Sequence, residues 1–113
     1  MILEIRTYRL KPGTGDEFVR VMREEAAPLL AEFGIEVVDC GPSLVAEDGN
    51  EEAHLIRAFA SLGARDEQEE RFYGSEAWHT GPREAILSRI ECYHTIVLDV
   101  PDHAVAALKR RTG

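Results

Sequence analysis

Two arginines and a tyrosine lie on predicted strands in a pattern that suits an oxygen-rich ligand. Arg6 and Tyr8 are two residues apart, so the alternation of a strand places them on one face. Arg57 is predicted to lie on a neighbouring strand and on the same face. A guanidinium group binds a carboxylate or an enolate well, because its N–H groups match paired oxygens. The alternative is that Glu4 and Asp99 simply neutralise both arginines.

Candidate proton-transfer groups accompany these arginines. Tyr8 could donate a proton or a hydrogen bond to a substrate oxygen, or it could pack on the sheet with its hydroxyl satisfied. His94 shares a strand face with Cys92, Ile96 and Leu98 and is a candidate general base, with a satisfied core histidine as the alternative. The four histidines have neither HxxxH nor HxH spacing, so no metal site is predicted. Since no phosphate-binding or dinucleotide-binding glycine motif is present either, no cofactor is predicted.

Two aromatic residues complete the predicted site. Phe59 shares a strand face with Arg57. Trp78 lies between Gly74 and Gly81 in a segment that could form a mobile lid, although it could instead anchor that segment on the sheet. The predicted substrate-binding residues are therefore Arg6, Arg57, Phe59 and Trp78, and the predicted catalytic residues are Tyr8 and His94.

The elements that must position these residues follow the order strand, helix, strand, strand, helix, strand. A capping box of Thr14 and Glu17 is predicted to open the first helix, Pro28 to kink it and Gly34 to end it. The charged run 65–71 in the next helix is interpreted as a solvated face. The strands are predicted at residues 2–10, 35–45, 53–61 and 91–100. This order favours an α+β, ferredoxin-like βαββαβ fold with a four-stranded antiparallel sheet of order 4-1-3-2.

The predicted sheet carries more apolar surface than two helices can cover. Helices on one side are expected to bury the face of Leu3 and Ile5. An apolar patch on the other face would rarely be left bare on a monomer. That patch would contain Ile2, Tyr8, Leu10, Leu55 and Phe59. A second copy of the sheet is the expected cover, which predicts a homodimer whose sheets face each other.

Composition and charge narrow the possible classes of function. The chain of 113 residues predicts one domain over residues 1–100, followed by a tail over 101–113. A net charge of −8 disfavours nucleic-acid binding. No apolar run reaches the roughly 18 residues that span a bilayer, and the first residues do not resemble a signal peptide, so a cytoplasmic location is expected. Cys40 and Cys92 are expected on opposite edges of the sheet and unable to pair.

The opening of the chain resembles one protein family. Residues 4–13, Glu-Ile-Arg-Thr-Tyr-Arg-Leu-Lys-Pro-Gly, are similar to the E-L-R-T-Y-x-L-K-P-G opening of the NIPSNAP family. Later likenesses are Pro28-Leu29-Leu30, Phe59-Ala60-Ser61-Leu62 with Arg65, and Tyr73-Gly74-Ser75-Glu76-Ala77-Trp78. Together they cover about residues 2–98. The chain departs from the family pattern where Arg57 replaces a usual tryptophan and where Gly81-Pro82 splits the last helix.

This resemblance implies a dimeric α+β barrel. That superfamily includes cofactor-independent monooxygenases acting on polyphenols, lactone isomerases and haem-handling enzymes, whereas most NIPSNAP members lack an assigned reaction. The resulting hypothesis is a homodimeric barrel that binds a small anionic or polyphenolic molecule and acts as a monooxygenase or isomerase. The alternative is a non-catalytic interaction or sensor module. A cavity of roughly 300 Å³ or more with Arg6 or Arg57 exposed inside it favours the enzyme, and arginines paired with Glu4 or Asp99 favour the module.

Overall fold

A four-stranded antiparallel sheet forms the centre of the fold. The computed structural model describes residues 1–109. The strands are β1 (Ile2–Leu10), β2 (Glu36–Pro42), β3 (Glu52–Phe59) and β4 (Ile90–Asp99). They lie in the order β2-β3-β1-β4 with every pairing antiparallel, which confirms the predicted ferredoxin-like sheet. Cys40 on β2 and Cys92 on β4 lie on the two opposite edge strands and form no disulfide with each other.

Five short helices cover one face of the sheet. They are α1 (Gly15–Val21), α2 (Ala27–Glu32), α3 (Leu62–Tyr73), α4 (Glu76–Thr80) and α5 (Arg83–Leu87). A π-helical turn, Met22–Ala26, joins α1 to α2 directly before Pro28. Because proline has no N–H, it interrupts the α-helical hydrogen bonds, and a wider turn beside it is a common result. The irregularity predicted at Pro28 therefore takes the form of a π turn.

The predicted capping box of Thr14 and Glu17 is wrong. The Thr14 hydroxyl donates to the backbone oxygen of Lys11 at 2.6 Å and makes no cap for α1. The carboxylate of Glu51, from the loop before β3, instead accepts the backbone N–H of Gly15 at 3.1 Å. A carboxylate distant in sequence thus accepts a backbone N–H at the start of α1, where the spacing of Thr14 and Glu17 had predicted a local cap.

The predicted orientation of the sheet is also wrong. Alternation along β1 is as expected, but α1–α5 cover the face that carries Glu4, Arg6, Tyr8 and Leu10, here called the helix-covered face. Tyr8 and Leu10 pack there in a core with residues of β3 and the helices. That core includes Phe18, Leu30, Leu55, Phe59, Phe72 and Trp78. Alternation determines which residues share a face, but it does not determine which face the helices cover.

The opposite face of the sheet, here called the far face, is only partly covered. It carries Leu3, Ile5 and Thr7 of β1, and α6 (Asp102–Leu108) packs Val105 against Leu3. The tail predicted after residue 100 therefore contributes a helix to this side, which ends at Leu108, and residues 110–113 lie outside the described part of the chain. Beyond α6, apolar side chains of β4 stay exposed. Ile96 is 44% exposed and Leu98 is 40% exposed.

Candidate functional site

A cavity of about 500 Å³ lies between the sheet and the helices of the single chain. Its apolar walls are formed by Met22, Ala26, Leu30, Leu55, Ile86, Leu87 and Ile90. Its aromatic walls are formed by Tyr8, Phe72, Tyr73, Trp78 and Tyr93. Its charged residues are Arg6, Asp66, Glu69 and Glu70. The volume lies within the range of small-molecule sites, and a mainly apolar wall with a few polar groups is typical of them.

A buried group of charges lies behind one end of this cavity. Arg57 and Glu4 are both 0% exposed. Arg57 Nε donates to Glu4 Oε1 at 2.9 Å, and Arg57 Nη2 donates to the same oxygen and to Glu69 Oε1, the latter at 2.7 Å. Arg65 Nε donates to Glu4 Oε2 at 2.7 Å and lies 3.0 Å from Glu69 Oε2. Two carboxylates are thus held side by side by two guanidinium groups.

Arg6 connects this group of charges to the cavity. Its Nε donates to Thr95 Oγ1 at 2.9 Å, and its Nη1 donates to Tyr73 Oη at 3.2 Å. Its Nη2 lies 4.0 Å from Glu4 and 3.8 Å from Glu69, both beyond hydrogen-bonding distance. The guanidinium also lies 5.0 Å from the centre of the Tyr93 ring. Arg6 is therefore held firmly while part of it faces the cavity.

The environment shifts the acidity of three groups. Burial by itself would raise the pKa of Glu4, but the guanidinium groups of Arg57 and Arg65 outweigh it and hold that pKa below its usual range. Burial raises the pKa of the Glu69 carboxyl; Arg57 opposes this shift and the Glu4 carboxylate adds to it. Burial, with Tyr73 nearby, also raises the pKa of Tyr8 above its usual range. Tyr8 is therefore a neutral hydrogen-bond donor rather than an acid of useful strength at neutral pH.

The structure brings together only some of the residues that the sequence predicted for the site. Arg6, Tyr8 and Trp78 all line the cavity. Phe59 belongs to the adjoining core and is 2% exposed. Arg57 lies behind the wall of the cavity and is bound to Glu4. For Arg57, the alternative prediction that an acidic residue neutralises it therefore applies.

His94 is separated from the other predicted site residues. It pairs with Thr7 across β1 and β4, which places it on the far face, and its side chain is exposed. It does not line the cavity. A catalytic role for His94 stays a prediction, but the sheet lies between it and Tyr8.

Sequence reasoning missed several residues of the site, and Glu69 and Tyr73 are the two with the closest contacts to Arg6 and Arg57. Both were hidden in or beside a charged run interpreted as solvated, yet the side chain of Glu69 is only 12% exposed. The available signal was spacing, since Arg65, Glu69 and Tyr73 follow one another at intervals of four and share one face of α3. A helix face that carries both an arginine and a glutamate and ends in a tyrosine indicates that charged residues of the sheet lie against it.

Residues 1–109 contain neither a metal-binding cluster nor a helix that could span a membrane. Within residues 1–109, no three His, Cys, Asp or Glu side chains are grouped closely enough to hold a metal ion. None of the helices in that range has the length and apolar character that crossing a membrane requires.

Comparison with known proteins places this fold among solved structures. The sequence model of the NIPSNAP family matches residues 3–99, and no curated protein matches the chain. Protein Atu4242 from Agrobacterium tumefaciens is similar at 27% identity with a TM-score of 0.78, over 90% of this chain and 95% of that one. An uncharacterised NIPSNAP domain protein from Burkholderia xenovorans is similar at 20% identity with a TM-score of 0.77, over 90% and 96%. An antibiotic biosynthesis monooxygenase shares the fold at 14% identity, with a TM-score of 0.61 over 89% and 99%.

Proposed function

Because the chain belongs to the NIPSNAP family, we propose that it is a homodimeric α+β barrel protein that binds a small polyphenolic molecule. The observation that carries this proposal is the cavity of about 500 Å³ between helices and sheet, with five aromatic side chains in its wall. Aromatic walls bury a planar ligand well, and the tyrosine and arginine side chains among them can orient its oxygens.

The charges around the cavity favour a polyphenol over an anionic ligand. Arg6 is the one cationic side chain that lines the cavity within the described residues, against the three carboxyl groups of Asp66, Glu69 and Glu70. The Glu69 side chain is only 12% exposed, and like charges repel more strongly where water is excluded, so a ligand carboxylate would be disfavoured beside it. The exposed Asp66 and Glu70 add to this repulsion only weakly, because water and salt screen them. Phenol hydroxyls, by contrast, can donate to carboxylates and accept from Arg6.

The reaction we propose is oxidation of the bound polyphenol by dioxygen, as in a cofactor-independent monooxygenase, with isomerisation as the second possibility. One oxygen atom enters the polyphenol and the other leaves as water, and the polyphenol itself supplies the electrons and the two protons. Support comes from the shared fold with an antibiotic biosynthesis monooxygenase, which is similarity of architecture alone at 14% identity. The competing function is a non-catalytic interaction or sensor module. The pairing of Arg57 with Glu4 supports that alternative, since it removes one of the two predicted substrate-binding guanidinium groups.

The homodimer is proposed from the far face. Ile96 and Leu98 of β4 are exposed there, beside the half-buried Ile5 and Ile56 of the two central strands. A contiguous apolar surface on a sheet is a typical interface, and a second copy can cover it by twofold symmetry. Light scattering should give twice the 12.6 kDa of one chain, and Ile96→Lys should shift the mass toward one chain. A single-chain mass for the unaltered protein at micromolar concentration would contradict the dimer.

Ligand binding is tested by a thermal-shift and calorimetric screen of polyphenols beside aromatic acids of similar size. Polyphenols should raise the melting temperature and the acids should not. Arg6→Ala should weaken binding, whereas Arg20→Ala, which removes an exposed arginine of α1 bound to Glu17, is the matched control. An oxygen electrode and chromatography of the ligand then separate the functions, because a monooxygenase consumes dioxygen, an isomerase converts the ligand without dioxygen, and a sensor leaves the ligand unchanged. A broad set without any binder would favour the interaction module.

A further inference from the structure

The hydroxyl group of Tyr73 is bound in an unusual way at the wall of the cavity. Its oxygen accepts one N–H from Arg57 at 2.9 Å and another from Arg6 at 3.2 Å. A phenol oxygen has two lone pairs and one proton, and a guanidinium group can only donate. Both acceptor positions are therefore occupied, and no group within residues 1–109 accepts the hydroxyl proton. That proton is available to a ligand.

The ring of Tyr73 is held in place from several sides. It packs edge-on against Phe72, with ring centres 4.9 Å apart, and against Trp78 at 5.4 Å. Arg57, itself fixed by the buried Glu4, lies 5.8 Å from the ring centre. A donor held this firmly loses little freedom when a ligand binds, so its hydrogen bond contributes more to affinity. The buried ion pair thus positions a cavity hydroxyl without touching the ligand.

A second donor lies beside this hydroxyl. Arg6 Nη1 bonds to Tyr73, while Arg6 Nη2 lies 3.8 Å and 4.0 Å from the two nearest carboxylates, too far for a hydrogen bond. The Tyr73 O–H is therefore available at one end of the cavity, and Arg6 lies beside it and beside the Tyr8 hydroxyl, with its Nη2 bound to neither carboxylate. A carbonyl oxygen accepts two hydrogen bonds and carries no full charge, so it suits two donors beside Glu69 better than a carboxylate does.

We propose that Tyr73 and Arg6 form a subsite for a carbonyl oxygen, so that the cavity selects polyphenolic ketones over polyphenols that lack a carbonyl group. This inference rests on the proposed function, since it names the chemical class of ligand within the same cavity. Tyr73 supplies the neutral donor, Arg6 supplies the charged one, and the phenol rings of the ligand lie against the aromatic wall.

The test compares two probes that differ at one group. Dihydroxybenzophenone has a carbonyl between its phenol rings, and dihydroxydiphenylmethane has a methylene there. Calorimetry on the unaltered protein should give about tenfold tighter binding of the ketone, the effect of one or two hydrogen bonds. Tyr73→Phe should reduce this ratio to about threefold, since it removes one of the two donors and keeps both the ring and Arg6. Tyr93→Phe removes another hydroxyl from the same wall and should preserve the ratio, whatever it does to either affinity.

A second measurement needs no variant. The infrared carbonyl stretch of the bound ketone should shift to lower frequency in the unaltered protein, as it does when a carbonyl accepts hydrogen bonds, so the proposal stays testable even where Tyr73→Phe fails to fold. Equal binding of both probes, or an unchanged ratio in Tyr73→Phe, would overturn the carbonyl subsite and leave polyphenol binding intact. Binding of neither probe would overturn the proposed function together with this inference.

Discussion

The guanidinium group of Arg57 and the carboxylate of Glu4 form an ion pair in which neither side chain is exposed to solvent. Removing two charges from water is costly, and the remaining donors and acceptors here are satisfied by Glu69, Tyr73 and Arg65. Such a pair contributes little net stability over an apolar substitute, but it fixes geometry. In this fold it fixes Tyr73 at the wall of the cavity.

Arg57→Met should therefore destabilise the protein strongly. It leaves the buried Glu4 with fewer donors, and breaking a buried pair costs about 3–5 kcal/mol in the free energy of unfolding. Urea unfolding measures the change. Arg20→Met, at an exposed arginine of α1 paired with Glu17, is the control and should cost at most about 1 kcal/mol. A loss of similar size in both variants would mean that the Arg57 pair is not truly buried.

The double variant Glu4→Leu with Arg57→Met tests the cause of that loss. If an unpaired charge is responsible, removing both partners should recover a large part of the stability lost in Arg57→Met, because apolar residues can replace a buried pair at little cost. The recovery appears as a coupling energy in a double-mutant cycle of urea midpoints. Additive losses would instead indicate that packing volume, rather than charge, sets the stability.

Glu4 also predicts the response to acid. Its folded pKa lies below the unfolded value of 4.5, so between these two values the unfolded chain binds more protons than the folded protein. The free energy of unfolding should therefore fall as the pH is lowered through this window. Glu4→Gln cannot titrate, so the slope of its stability against pH should be smaller there. Urea unfolding across a series of acidic buffers measures both slopes, and parallel curves would contradict the assignment to Glu4.

Glu69 predicts a dependence of the opposite sign at higher pH. Its folded pKa lies above 4.5, so the folded protein binds more protons than the unfolded chain between 4.5 and the raised value. Its contribution to stability is fully present below 4.5 and is lost as the pH rises through the raised pKa. Glu69→Gln should remove this loss, so its stability relative to the unaltered protein should improve as the pH rises. A constant difference between the two proteins across that range would contradict the shift.

Much of the fold could be predicted from local patterns, because local chemistry decides it. The alternation along β1 gave the correct partners on each face, the glycine at residue 34 ends its helix with a φ of +77°, and Ser61 caps α3. The face that the helices cover could not be predicted in this way. Both faces of β1 carry apolar residues. Which face the helices cover depends on the ion pairs that Arg65 and Glu69 of α3 form with Glu4 and Arg57 of the sheet.

The cavity was harder to predict than the residues around it. Arg6, Tyr8 and Trp78 were identified by residue type and alternation, and all three line it. Glu69 was missed because a charged helical run is usually solvated, and this one contains a residue that turns inward. The size of a cavity between a sheet and its helices depends on how side chains from distant parts of the chain pack together. The spacing of residues within one helix or strand does not predict that packing.

Gly81 should control the segment that carries Trp78. A Cβ atom added at Gly81 would lie 2.3 Å from the backbone oxygen of Ala77, a contact that requires the α4–α5 connection to move. Gly81→Ala should therefore lower the free energy of unfolding by about 1–3 kcal/mol. Gly63→Ala is the matched control, because the atom nearest to its new Cβ is 3.9 Å away. Alanine in place of a helical glycine should raise the free energy of unfolding by about 0.5–1 kcal/mol.

Fluorescence distinguishes a local effect at this segment from a general one, because Trp78 is the only tryptophan of the chain. Its side chain is 6% exposed and lines the cavity, so movement of α4 should shift its emission to longer wavelength. Gly81→Ala should show this shift under conditions where the protein is still folded, and it should weaken polyphenol binding in parallel. Gly63→Ala should show neither effect. If Gly81→Ala is destabilised with unchanged emission, the backbone contact matters to stability but does not hold the tryptophan against the cavity.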